Sequence, residues 1–315
     1  MADKIATREA YGNALLSLGR ENEKIVVLDA DLAEATKTVK FKKEIPERFF
    51  DCGIAEGNMI SIAAGLAASG LIPFASSFAM FAAGRAFEQA RNSVGYPHLN
   101  VKICATHAGI TVGEDGATHQ CLEDFATMRS IPGFVVMSPS DAVETEAMIR
   151  AAADYYGPCY IRLGRYAVPV INDVPGYRFE IGKGITLREG SDVTLIANGV
   201  TVSLSLEAAD ILAAEGISAR VINIHTVKPI DSELIEKCAR ETGLIITVEE
   251  HNVIGGLGSA VCETVCDSFL VPVVRVGIQD RFGRSGKVPA LLEMYGLTPA
   301  RIAARVKDAV NGIKK

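Results

Sequence analysis

The chain of 315 residues has no excess of basic charge: 32 Lys and Arg stand against 38 Asp and Glu, a net charge of −6. No basic run breaks that balance, which removes the electrostatic case for nucleic acid or an anionic membrane surface and leaves only local sites for small anions. No apolar run approaches the roughly 18 residues of a membrane span, and the start, "MADKIATREAYGNALL", lacks the apolar centre of a secretion signal. Both absences read as a soluble, cytoplasmic chain. Paired cysteines are missing as well. The seven, at 52, 104, 121, 159, 238, 262 and 266, are scattered among mostly apolar neighbours, the pattern of buried reduced thiols. Cys262 and Cys266 share a predicted helix, but no second Cys or His pair accompanies them as a zinc site requires. Low-complexity segments and short-period repeats are also absent.

What the sequence does contain is alternation. "TREAYGNALLSLGREN" has helical spacing, "KIVVLDADL" is a short apolar strand running into acids, and "GNMISIAAGLAASG" is a small-residue buried helix. "LIPFASSF" and "HLNVKICATHAG" read as buried strands around the helix "FAAGRAFEQARNSVG", and "FVVMSPS", "DAVETEAMIRAAADYYG" and "PCYIRLGR" continue strand, helix, strand. This is an α/β domain with a parallel sheet covered on both faces. Residues 171–190, rich in Pro and Gly, read as a linker between a domain of residues 1–170 and a second α/β unit of residues 191–315. In the second unit "SARVINIHTV" reads as a strand and "LIITVEEH" as another. The expected architecture is two successive doubly wound α/β domains.

Several residues invite a chemical reading beside a plain one. Gly255, Gly256 and Gly258 follow a strand and open a helix, a context that cradles phosphate, but tight turning explains them equally and the strict dinucleotide spacing is missing. "EEH" at 249–251 offers metal-ligating groups, yet neighbouring strand residues point to opposite faces. Glu56 stands alone between an apolar strand end and an apolar helix; a carboxyl there is driven toward its neutral form unless paired, or else it simply complements the helix dipole. Phe78, Phe81 and Phe87 are core residues or a wall for a flat heterocycle. His107 and His119 are two of five histidines, and Arg162 and Arg165 flank a strand end where open α/β sheets bind ligands.

Taken in order, "ATRE" at 6–9, "DADL" at 29–32, "GIAEGNM" at 53–59, "SSFAMF" at 76–81, "THAGITVGEDGATHQ" at 106–120, "LGR" at 163–165 and "DRFGRSG" at 280–286 resemble the C-terminal half of transketolase, a thiamine diphosphate enzyme. The first domain is then of the pyrimidine-binding type and the second of the transketolase C-terminal type. The resemblance implies transfer of a two-carbon ketol unit from a ketose phosphate to an aldose phosphate. By the same resemblance Glu56 is the catalytic carboxyl that hydrogen-bonds the cofactor's pyrimidine N1′. Phe78 and Phe81 pack that ring, and Asp31 and Leu32 join them in binding the cofactor. His107 and His119 are implied near the reacting carbonyl and hydroxyls, Asp115 at a sugar hydroxyl, and Arg8 and Arg165 at the sugar phosphate. Glu114 receives no role.

Two positions depart from the family pattern: Gly84 replaces a third pyrimidine-wall aromatic, and Ala35, followed by Thr36, replaces a phosphate-binding serine. A larger departure is an absence. No Gly-Asp-Gly followed by an Asn-containing metal loop occurs. The resemblance therefore implies that a separate N-terminal subunit binds most of the diphosphate and its Mg2+ or Ca2+, in a dimer of heterodimers. A related thiamine enzyme such as deoxyxylulose-phosphate synthase and a non-catalytic nucleotide-binding module using "GGLG" are the alternative readings.

Overall fold

The computed structural model describes residues 4–313. Its strands, in chain order, are β1 Lys4–Ala6, β2 Ile25–Asp29, β3 Phe49–Asp51, β4 Ile72–Phe78, β5 Lys102–Thr106, β6 Val135–Met137, β7 Cys159–Arg162, β8 Ala167–Pro169, β9 Ile185–Arg188, β10 Val193–Ala197, β11 Ala219–Asn223, β12 Thr226–Lys228, β13 Ile245–Asn252 and β14 Val273–Ile278. A sheet of seven strands in the order β12-β6-β7-β5-β4-β2-β3 builds the first domain, and one of five strands, β14-β13-β10-β11-β9, builds the second. Both are parallel except at one edge, where β12 and β9 run antiparallel to their neighbours. The expected pair of doubly wound α/β domains is what the chain forms.

Burial explains why the strands read as continuous apolar runs. Every residue of β2, β5, β7, β10 and β11 is buried, because helices cover both faces of each sheet. One core, with Met59, Ile60, Ala63 and Phe125, lies against one face of the first sheet, and another, with Tyr11, Leu15, Phe41 and Met148, lies against the opposite face. The second sheet is likewise lined by two clusters, around Leu195 and Val306 and around Ile196 and Ile235. Burying each such Leu, Ile or Phe contributes about 1.5–3 kcal/mol. No helix among the described residues is long and apolar enough to cross a membrane.

Three local readings change. "SARVINIHTV" forms two strands: β11 stays in the second sheet, while β12 crosses over and pairs antiparallel with β6 of the first. Hydrogen bonding from the Ser138 amide to the His225 carbonyl, at 2.8 Å, carries the chain across. The region 171–190 contains β9, which edges the second sheet. The stretch 81–95 is helical but not uniformly α: Met80–Arg85 and Ala90–Gly95 are widened turns, with the Ala86 amide reaching the Phe81 carbonyl at 3.1 Å and the Tyr96 amide the Arg91 carbonyl at 2.9 Å. Such π-bulges re-aim the side chains they carry.

Candidate active site

The carboxyl ends of parallel strands open on one side of a sheet. In the first sheet, neighbouring strand ends carry most of the residues singled out above. Arg165 follows β7, His107 follows β5, Phe78 ends β4, Asp31 and Leu32 follow β2, and Glu56 starts the helix Glu56–Ala68 after β3. His107 and Asp31 have φ of 58° and 60°, conformations that cost energy for a residue with a side chain and concentrate at functional sites.

Phe78, Phe81, His107 and His119 form one cluster of rings. Phe78 stacks on His107 with centroids 3.8 Å apart and on Phe81 at 5.9 Å, while His119 meets the Phe78 and Phe81 rings edge-on at 6.2 and 5.5 Å. Phe87 does not join them; it packs against the core beneath. Glu56 is only 1% exposed, and its Oε2 accepts a 2.8 Å hydrogen bond from Nη1 of Arg85. Arg85 was not singled out in the sequence. Its guanidinium lies 4.5 Å from the centroid of the Phe81 ring, bringing Glu56 and the aromatic wall into one unit.

A cationic rim surrounds His107. Arg8 donates from Nη1 to the Ala35 carbonyl at 3.0 Å and meets His107 Nε2 at 3.2 Å. Arg165 donates from Nη1 to the Val112 carbonyl at 2.8 Å and to Asp115 Oδ2 at 3.2 Å. Burial first, then the charges of Arg8, Arg165, His119 and Lys37, push the His107 imidazolium down to about 3. His107 is therefore a neutral imidazole facing a field of positive charge. Lys37, which no local sequence pattern marks, joins this rim; it stands at φ 72° with Nζ 2.9 Å from Glu9.

Asp31 and Leu32 line a separate cavity of about 580 Å³ with Glu34, Lys42 and Asp51. The Asp31 amide donates to Asp51 Oδ1 at 3.2 Å, and the Leu32 amide to Asp29 Oδ1 at 2.7 Å. Thr36 cannot stand in for the serine missing at Ala35. Its buried hydroxyl turns inward to Asp29 Oδ2 at 2.7 Å, which also accepts from Thr38 at 2.8 Å. Burial outweighs these bonds and pushes the Asp29 carboxyl up to about 6.

The loop "GEDGATHQ" is built by contact with the second domain. Gly113 and Gly116 have φ of 86° and 78°, and Ser285 donates to the Glu114 carbonyl at 2.6 Å. Gln120 Nε2 donates to the Arg284 carbonyl at 2.9 Å. The motif "DRFGRSG" thus supports the loop from below, leaving the Glu114 and Asp115 side chains exposed.

The remaining candidates serve structure. Glu249 accepts from the amides of Leu257 and Gly258 at 2.7 and 2.8 Å, so the helix N-terminus after "GGLG" is already filled by the chain's own carboxylate. A β-carbon on Gly256 would collide with that carboxylate, leaving no space there for a phosphate. Glu250 turns instead toward Thr111 and Arg162, and Arg162 is buried in an ion cluster with Asp124 rather than aimed at the site. His251 packs on Phe125 at 5.3 Å. Among the described residues no group of three His, Cys, Asp or Glu side chains is placed to hold a metal ion.

Comparison with known proteins identifies the family of the two domains. Residues 3–170 match the transketolase pyrimidine-binding domain and residues 182–302 the transketolase C-terminal domain. A putative transketolase C-terminal section from Methanocaldococcus jannaschii is 52% identical over 96% of this chain and 95% of its own length. A 6-deoxy-6-sulfo-D-fructose transketolase subunit from a Clostridium species is 44% identical over 94% of this chain and 91% of its own. Among solved structures, a split-gene transketolase described as an inactive β4 tetramer superimposes with a TM-score of 0.91 at 56% identity, covering 98% of this chain and 99% of that one. The chain belongs to the transketolase family and corresponds to its pyrimidine-binding and C-terminal domains.

Proposed function

We propose that this chain is the C-terminal subunit of a two-chain transketolase that moves a two-carbon ketol unit between sugar phosphates. The observation that carries the reading is the buried Glu56 carboxyl set beside the Phe78–Phe81 wall and the two histidines. An aromatic wall with one water-excluded carboxyl fits the aminopyrimidine of thiamine diphosphate. Among the described residues no group of three or more His, Cys, Asp or Glu side chains is placed to hold its metal, and the sequence has no Gly-Asp-Gly metal loop, so the metal and diphosphate half is assigned to an N-terminal partner bringing Mg2+ or Ca2+. The structural neighbour, a split-gene transketolase solved as an inactive β4 tetramer, supports both partner dependence and self-association of this subunit.

Thiamine diphosphate supplies, when bound, the electron sink for breaking a carbon–carbon bond next to a ketone. Glu56 holds the proton shared with the pyrimidine N1′, and Phe78 and Phe81 orient the ring. Asp31 and Leu32, at the next strand end and lining their own cavity, are assigned to the cofactor by the family resemblance alone. His107, its ring fixed between Arg8 and Thr106, stands beside the reacting carbonyl and hydroxyls, and His119 exchanges protons at the reacting oxygens. Asp115 selects a hydroxyl, while Arg8 and Arg165 grip the phosphate with their guanidinium forks.

The test is to purify the chain with its N-terminal subunit, add Mg2+ and thiamine diphosphate, and assay ketol transfer. Glu56→Ala is expected to lower turnover by about 10²–10⁴-fold; unchanged turnover removes the mechanism. Consumption of pyruvate with release of carbon dioxide would instead mark a deoxyxylulose-phosphate synthase.

A further inference from the structure

The Glu56 carboxyl that would face the pyrimidine already has a partner: its Oε2 takes a 2.8 Å bond from Arg85 Nη1. A guanidinium only donates, so the oxygen it meets serves as an acceptor there. Arg85 is the one side chain bonded to Glu56 among the described residues, and its guanidinium sits 4.5 Å over the Phe81 ring. It therefore holds both groups that the pyrimidine would use.

The surroundings let Arg85 leave. Its side chain is 52% exposed, whereas that of Glu56 is 1% exposed, so only the arginine has water to move into. It ends the widened turn Met80–Arg85, and the residue before it is Gly84, where an added β-carbon would meet only the flexible end of Met80. The departure at Gly84 removes the aromatic bulk that would otherwise crowd this movement.

From these contacts we infer that Arg85 is an internal stand-in for the cofactor's aminopyrimidine, neutralising Glu56 and covering Phe81 until the ring displaces it. This inference rests on the proposed thiamine diphosphate chemistry. Arg85 is then a positioning residue that keeps a buried carboxylate paired in the unloaded subunit and releases it on loading. The pairing acts as a conformational tax, because binding proceeds only from the fraction of molecules in which Arg85 has swung out.

The test measures thiamine diphosphate binding by calorimetry, with Mg2+, to the chain assembled with its N-terminal subunit. Arg85→Met is expected to tighten the dissociation constant by about tenfold, with Arg85→Lys staying near wild type. The tightening must vanish in a Glu56→Gln background, because the pairing needs the carboxylate; a purely structural effect of Arg85 would persist there. Equal or weaker binding by Arg85→Met, or the same tightening beside Glu56→Gln, overturns the inference. Arg85→Gln repeats the measurement if a thermal melt finds the Met variant unfolded. If neither wild type nor any variant binds thiamine diphosphate in the assembled complex, the functional reading falls, and the inference with it.

Discussion

Arg8 Nη1 lies 3.2 Å from His107 Nε2, and this contact fixes the proton on the histidine. A guanidinium only donates, so Nε2 is the bare nitrogen and Nδ1 carries the hydrogen, donating to Thr106 Oγ1 at 2.9 Å. Burial and the surrounding cations push the ring down to about 3 from an ordinary 6.5. Nitrogen NMR should find His107 as the neutral Nδ1–H tautomer throughout mildly acid to neutral conditions, and Arg8→Met should mix the tautomers. A charged ring at pH 6 would refute this. The linked stability has a definite sign. The unfolded chain takes a proton below 6.5 that the folded chain refuses until about 3, so the contribution is full above 6.5 and is lost as pH falls between those values.

The same rim predicts a split in substrate dependence. Arg165 is steadied by the Val112 carbonyl and Asp115, leaving its remaining N–H groups for an anion. Arg165→Gln is expected to raise KM for a phosphorylated ketose by about tenfold or more, the loss of one charge-assisted contact, while a donor without phosphate keeps its KM. Steady-state kinetics on the two donors decides it, and equal effects on both would show that Arg165 is shaping the loop instead.

How much of this was legible depended on whether neighbours in sequence or in space do the work. Glu56 stood out because a lone acid between apolar elements is a local anomaly, and the strand-end positions of His107 and Arg165 follow from the alternating pattern. Arg85 did not stand out. Its aim depends on a π-bulge, which adds one residue to a turn and leaves no mark in the apolar spacing; the only hint was a cation placed between Phe81 and Phe87. Thr36 and Lys37 were hidden by the turn after β2, where Lys37 takes a left-handed conformation and the threonine folds back on Asp29. Tertiary contact also decided "GGLG" and β12. A helix N-terminus looks vacant in sequence until Glu249, eight residues before Leu257, is seen filling it. A strand's choice between two sheets is likewise not written in its own residues.

Glu249 gives a prediction about pH. Burial, only partly opposed by the amides of Gly258 and Leu257, pushes its carboxyl up to about 7 from 4.5. The folded value is raised, so its stabilisation is full below 4.5 and disappears as pH rises through about 7. The difference is on the order of 3 kcal/mol. Glu249→Gln keeps an acceptor oxygen for the helix but has no proton to lose. Urea denaturation should therefore find the variant gaining on wild type as pH is raised from about 5 to 8, and parallel stability curves would count against it.

The two domains are joined through a buried cation. Arg162 donates from Nε to Asp124 Oδ2 at 2.9 Å and from Nη2 to the Glu250 carbonyl at 3.2 Å, and its Nη1 faces the Glu250 carboxylate at 3.6 Å. Asp124 belongs to the first domain and Glu250 to β13 of the second. Burial works against the Arg162 charge, yet Asp124 and Glu250 hold it above the ordinary guanidinium value. Arg162→Met leaves both carboxylates unpaired in the interior and should destabilise the chain by about 3–5 kcal/mol. Neutralising the partners as well, with Asp124→Asn and Glu250→Gln, should recover much of that loss, because the penalty comes from the stranded charges rather than from the missing attraction. Calorimetric melts of the single and triple variants test it: a triple variant weaker than Arg162→Met would mean that the contacts themselves, not charge balance, hold the domains together.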